Sequence, residues 1–421
     1  MKPKSQFSKI LTSLAPWLIG AFIFICLHII TLIYAPFHGF SDFQFYFEKA
    51  LQLTNDTFKS QADLFYAALF PTTVLYPLFL SIFMHIFGAY EMVGVVINQL
   101  LVAALAIYLF HFLQKLGTKW YWSLIITLAA TLNPITAFYA NSINAEIPFG
   151  VFILFAFLFF CEYIQTKKLS KIILTSLFLL IANLFRPLAI IMFILMLVYL
   201  IIELIIKRKE FSQPRKFNHN LLFIIYYLLF IVIFFLPINS LIIKYETGFP
   251  PPASSYGWNL YVGMSEDGIW NVGDATTFDF LKQQSQTPTE VMTWFKQQGI
   301  YRLEYHNFSN TWTKLDMFKQ GDSIFMLSNT HHPARAQWLN NIVQIYFIIT
   351  ILASLGIIIK SFFKRNKLSP SIVLALYFLL SVCSFIFLEA HQRYAVSYYL
   401  IYPIIIFFAV KSLDFKHEKI K

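Results

Sequence analysis

Apolar residues fall in long runs broken by short polar or basic stretches. A membrane-crossing helix needs about 20 mostly apolar residues. Runs of this kind lie near 11–34, 92–113, 120–140, 147–164, 171–186, 188–206, 220–243, 339–360, 369–388 and 395–411, and they predict about ten transmembrane helices. The fifth run is short and ends at Arg186-Pro187. The segment 64–90 is apolar too, but Pro71 and Pro77 interrupt it, so interfacial or re-entrant helices are expected there. The first run is too long for a signal-peptide core and lacks a small-x-small cleavage site, so it reads as an uncleaved span. Two long segments remain, 35–91 and 244–338. The second carries turn chemistry (Gly248-Phe249-Pro250-Pro251-Pro252) and Trp258, Trp270, Trp294 and Trp312, enough to bury as a small folded domain of mixed structure. The expected fold class is an all-α integral membrane protein. Its parts are a membrane core over 1–243, an outer loop domain over 244–338 and C-terminal spans over 339–421.

Charge orients this pattern. With the N-terminus inside and the runs alternating, most of the 32 Lys and Arg fall in inner segments, among them Lys115, Lys119, Lys167, Lys168, Lys171, Lys207, Arg208, Lys360, Lys364 and Lys411. Most of the 21 Asp and Glu fall outside. Inner loops of membrane proteins are enriched in Lys and Arg, so both termini are expected inside.

Composition narrows the class further. Hydrophobic residues make up 58% and charged residues only 13%, against roughly 25% charged in soluble domains. That excludes a soluble enzyme, a disordered chain and a disulfide scaffold. Only 14 Gly beside 48 Phe and long apolar runs favours helices over a barrel. The net charge of +11 is distributed by topology rather than in one patch, so no nucleic-acid partner is expected. Cys26, Cys161 and Cys383 each lie inside an apolar run and read as buried, inert thiols.

Ionisable residues that a membrane would otherwise exclude are the candidates for function. Topology brings Asp42, Glu146, Arg186, Glu389, His391 and Arg393 to the outer edge. Each has a plainer role open to it. Asp42 suits a helix N-cap. Glu146, ahead of Pro148, suits a first helical turn. Arg186 can reach lipid headgroups. His391 reads as a bystander, and His331-His332 lack acidic ligands at a metal-binding spacing. No nucleotide-binding glycine loop, zinc-protease helix or kinase set is present.

The ordered set of pieces is similar to the GT-C class of polytopic membrane glycosyltransferases, in its protein O-mannosyltransferase-like and aminoarabinose-transferase-like branch. The pieces are Asp42 with Tyr46 and Ala50, Tyr76-Pro77-Leu78-Phe79-Leu80 ending at Phe87-Gly88, and Asn133-Pro134 leading to Ala145-Glu146. Leu184-Phe185-Arg186-Pro187 and Glu389…Arg393-Tyr394 with Pro403 complete it. The resemblance covers nearly the whole chain. It implies sugar transfer from a polyprenyl-phosphate carrier on the outer face, inverting, with Asp42 as general base and Arg393 and Arg186 on the carrier phosphate. Glu146, Glu389 and Tyr394 are implied in substrate binding. No cofactor is required. A divalent cation is compatible with Asp42 and Glu146 converging, and membrane lipid surrounds the site. The adjacent Asp-Glu pair of O-mannosyltransferases is absent, since Phe43 follows Asp42; this departure counts against a protein acceptor, and glycan, lipid and protein acceptors all stay open.

The chemistry is coherent. A phosphate-linked sugar has a good leaving group, so the need is for cations on the departing phosphate and a base on the acceptor hydroxyl. The rival reading is a transporter or lipid flippase, which needs polar residues in mid-span and broken helices. The strongest charges here sit at one edge, and mid-span positions are mostly Ile, Leu and Phe. A bacterial plasma membrane is the expected location.

Overall fold

A computed structural model of the chain describes residues 6–34, 42–55, 64–65, 68–70, 72–208, 236–249, 251, 256–264, 276–277, 287–305, 333–363, 369–388 and 392–411. All regular structure among them is helical. In order the main helices are α1 (Gln6–Tyr34), α2 (Asp42–Thr54), α3 (Thr72–Phe87), α4 (Glu91–Lys115), α5 (Trp120–Thr131), α6 (Pro134–Tyr139), α7 (Glu146–Thr166), α8 (Leu169–Phe185) and α9 (Ala189–Arg208). There follow α10 (Leu236–Thr247), α11 (Tyr256–Gly263), α12 (Pro288–Tyr305), α13 (Pro333–Phe363) and α14 (Ser371–Phe387). A 3₁₀ turn (Gln392–Ala395) leads into α15 (Val396–Tyr399) and α16 (Tyr402–Val410).

Five helices among the described residues are long and apolar enough to cross a membrane: Leu14–Ile33, Glu91–Lys115, Glu146–Thr166, Ala189–Ile206 and Ala334–Phe363. Shorter apolar helices occupy Val74–Phe87, Trp120–Thr131, Leu169–Phe185, Ser371–Phe387 and Val396–Val410. Most of the run near 220–243 lies outside the described residues, as do Trp270, Trp312 and His331-His332.

The helix at the centre is α7. Its Ile147, Phe149, Val151, Ile153, Leu154, Phe157, Leu158 and Phe160 are all buried, as expected of a helix that is apolar all round. It forms a hairpin with α8 through a tight turn at Lys167, which adopts a left-handed conformation (φ 54°) and closes α7 by donating its N–H to Tyr163 O. The helices α4, α9 and α15 pack around this hairpin, and α1 lies against α4.

Three expectations from the pattern change. The run 120–140 is two helices, not one. Pro134 has no N–H to continue α5, and Asn133 restarts the chain by accepting Thr136 N–H at 2.9 Å. The run 395–411 is likewise divided, with α15 ending before Leu400-Ile401 and Pro403 at the start of α16. In contrast Pro77 does not interrupt its segment: α3 continues through it. The thiols also differ from expectation, for Cys161 is buried but Cys26 is half-buried and Cys383 exposed.

Within 244–338 the regular structure among the described residues is helical. Gly248, at φ 74°, ends α10 in a left-handed conformation that suits glycine. Trp258 and Tyr261 of α11 pack on Val291, Met292 and Phe295 of α12, together with Phe65 and Leu69 from the first long segment. The Arg302 guanidinium lies 3.6 Å from the Tyr261 ring centre and donates to Tyr261 O at 2.9 Å.

One end of the bundle gathers lysines. Lys115 of α4 and Lys171 of α8 both pair with Glu162 of α7, at 2.9 and 2.5 Å, and Lys167 pairs with Glu203 of α9 at 3.0 Å. Lys411, after α16, donates to Leu116 O and Thr118 Oγ1 at the same end. Trp120 and Trp122 are exposed beside it, in the manner of aromatic anchors at a membrane–water boundary.

Candidate functional site

The opposite end of the α7–α8 hairpin holds the candidate site. An antiparallel pair puts the first residue of α7 beside the last of α8, and these are Glu146 and, just beyond Phe185, Arg186. Both are placed where helix dipoles favour them: a carboxylate at an N-terminus and a guanidinium at a C-terminus. Pro187 helps define the second position. A residue before proline is biased to extended backbone, and Arg186 sits at φ −149°, ψ 130°, ending α8. Arg186 Nη2 donates a hydrogen bond to Glu146 Oε1. The pair is shielded from solvent, with 3% of the Glu146 side chain and 15% of Arg186 exposed.

Tyr394 completes the cluster from the far end of the chain. Its ring centre is 5.0 Å from the Arg186 guanidinium carbon, a cation–π arrangement, and it also stacks on Phe385 of α14. The close fit of α15 on α7 makes this possible. A Cβ on Gly150 would stand 3.1 Å from Ser397 Cα and 2.9 Å from Leu400 Cδ1, so glycine lets the two helices approach.

On the other side, α2 begins at Asp42. Phe43 packs edge-on against Tyr139 at 6.2 Å, and Tyr46 edge-on against Tyr76 at 5.1 Å. The Tyr76 phenol has Glu146, Tyr46 and Asn98 as its electrostatic neighbours. The backbone start of α2 therefore stands beside the rings that border Glu146. The side chains of Asp42 and Arg393 lie outside the described residues, as do Glu389 and His391 entirely; the Arg393 backbone belongs to the 3₁₀ turn that carries Tyr394. Of the residues singled out in the sequence, Glu146, Arg186 and Tyr394 are thus brought together.

The connection ahead of Glu146 is fully buried and internally bonded. Asn144 Oδ1 accepts Ile147 N–H at 2.9 Å and so caps α7, while its Nδ2 donates to Tyr139 O, Ser142 O and Ser142 Oγ. Asn98 and Gln99, inside α4, reach the same connection. Sequence reading passed over these two amides because they are adjacent polar residues within a run long enough to count as a span. Their adjacency inside that run was the signal.

Among the described residues no three His, Cys, Asp or Glu side chains are gathered as a metal ion would require. Glu146 is engaged by Arg186. No protein-family model, curated protein or solved structure matches the chain.

Proposed function

We propose that the chain is a membrane glycosyltransferase of about ten transmembrane helices, both termini inside. It moves a sugar from a polyprenyl-phosphate-linked donor to an acceptor on the outer face of a cell membrane. The observation that supports this most is the shielded Glu146–Arg186–Tyr394 cluster at one end of the bundle, opposite the lysine-rich end. Lysines mark the inner side by the positive-inside rule, so the cluster belongs to the outer one.

In this reading the sugar C1–O bond to phosphate breaks and its electron pair leaves on the phosphate oxygen. The acceptor oxygen forms the new bond to C1 with inversion, and its proton passes to the Asp42 carboxylate. Arg393 and Arg186 oppose the charge gathering on the carrier phosphate, as planar guanidinium groups do well. Glu146 and the Tyr394 ring hold Arg186 in place, and Glu389 adds a polar group on the same short connection. No step is routed through a divalent cation. Losing one such charge stabiliser typically lowers a rate on the order of 10²- to 10³-fold.

A transporter or lipid flippase is the second reading. It is favoured by the buried Thr31, Asn98 and Gln99 inside α1 and α4 and by the breaks at Asn133-Pro134 and Leu400-Ile401. Native mass spectrometry in lipid nanodiscs decides between them. With added polyprenyl-phosphate hexose, wild type is expected to hold the donor and to transfer its sugar, and Arg393→Ala to lose both. A protein that ignores the carrier lipid, or moves it across the bilayer without breaking it, removes the glycosyltransferase reading.

A further inference from the structure

Two amides in the middle of an apolar helix need a reason to be there. Asn98 and Gln99 of α4 are both fully buried. They engage consecutive residues of the connection that ends at Glu146. Gln99 Nε2 donates to Asn141 Oδ1 and to Thr31 Oγ1, each at 2.7 Å, and Asn98 Nδ2 donates to Ser142 O at 2.8 Å. Thr31 Oγ1 donates in turn to Asn141 Oδ1 at 2.5 Å, and Gln99 Oε1 lies 3.3 Å from His28 Nδ1. Asn141, Ser142 and Asn144 are themselves buried. Polar groups of two helices, α1 and α4, are therefore drawn onto one short stretch of chain.

The bonds continue to both candidate catalytic elements. Ser142 O, held by Asn98, also accepts Asn144 Nδ2 at 3.1 Å, and Asn144 caps the first turn of α7, where Glu146 stands. Tyr139 O accepts Asn144 Nδ2 at 2.6 Å and Ser142 Oγ at 3.0 Å, while the Tyr139 ring meets Phe43, the neighbour of Asp42. The Asn98 amide also neighbours the Tyr76 phenol, which in turn lies near Glu146.

We propose that Asn98 and Gln99 are positioning residues: they clamp the connection 140–145 and thereby fix Glu146, and with it Arg186, relative to the start of α2. This rests on the glycosyltransferase reading for its catalytic consequence, though not for the clamp itself. A displacement of about 1 Å in a reacting constellation can lower a rate on the order of 10²-fold.

The test uses the full chain in nanodiscs with Asn98→Leu, and Thr31→Val as the milder variant should the first fail to accumulate. Amide hydrogen exchange is read over 141–147, and kcat and KM for polyprenyl-phosphate hexose are measured per folded molecule. Expected are faster exchange confined to 141–147, a fall in kcat on the order of 10²-fold for Asn98→Leu, and a donor KM held within about threefold. Unchanged exchange at 141–147 overturns the clamp whatever the activity does. Faster exchange with unchanged kcat overturns the positioning role, because a merely structural amide would lower yield and unfolding midpoint only. If wild type transfers no sugar, the functional reading fails separately. The exchange result alone then decides the clamp, faster exchange upholding it and unchanged exchange ending it.

Discussion

The two ends of the α7–α8 hairpin each bury a carboxylate of α7 against a cation, and they do it differently. At the 162 end, Glu162 is shared by Lys115 and Lys171 from two other helices, and 49% of the Lys115 side chain and 24% of Lys171 is exposed. Those ammonium groups lead out to water on flexible stems. At the 146 end Arg186 meets Glu146, both are shielded, and an aromatic ring covers the guanidinium. Removing a charge pair from water costs several kcal/mol per ion, and an apolar pair of similar size is often no less stable. The lysine end resembles ordinary boundary chemistry of a membrane protein. The arginine end keeps a costly pair where dipoles, a proline and a distant tyrosine all hold it still. That difference is why the functional reading belongs there.

The largest effect should come from breaking the arginine end. Arg186→Met leaves Glu146 buried without its guanidinium, an expected loss of about 3–5 kcal/mol in unfolding free energy. Glu146→Gln/Arg186→Met removes both charges and should regain most of that loss, while sugar transfer stays abolished. Unfolding midpoints in nanodiscs with parallel transfer assays check both parts. A double variant that transfers sugar normally would reduce the cluster to a structural feature no different from the lysine end.

Much of the geometry at the 146 end was legible because helices are simple rulers. Once 147–164 and 171–186 read as neighbouring antiparallel runs, Glu146 and Arg186 had to share an end. Their direct pairing was not legible, since each had a sufficient local explanation in a helix dipole or a lipid headgroup. Tyr394 was read as part of a motif, but its ring position depends on how closely α15 approaches α7, a matter of Gly150 and Ser397 that no spacing rule contains. The helix breaks were hidden for another reason. Average hydropathy over 120–140 stays high across Asn133-Pro134, although the asparagine-proline pair itself is a strong restart signal. The same averaging hid Asn98 and Gln99, so the mid-span positions looked more uniformly apolar than they are.

A smaller effect, also confined to the arginine end, is expected from Gly150→Val. The new side chain meets Leu400 Cδ1 first and then Cβ and Cα of Ser397, and that backbone cannot swing aside as the leucine tip can, so α15 must shift, at a cost of about 1–3 kcal/mol. Because Tyr394 immediately precedes this helix, the ring should move off Arg186. Hydrogen exchange should rise over α15 and stay unchanged over 162–171. Equal disturbance at both ends would mean that the hairpin transmits strain along its length and that the two ends are not independent.

The smallest effect tests the other side of the comparison. Lys115→Ala removes a half-exposed cation from Glu162 and leaves Lys171 at 2.5 Å, so the loss should be about 0–1 kcal/mol and should shrink further in high salt. Lys171→Ala should behave alike. The double variant should exceed the sum of the two, because only then does the buried Glu162 lose both cations, and a coupling of about 0.5–3 kcal/mol is the expected signature. A double-mutant cycle on unfolding midpoints at two salt concentrations measures it. Strict additivity would mean that water already reaches Glu162, making the lysine end a wet boundary and widening its contrast with the shielded pair at Glu146.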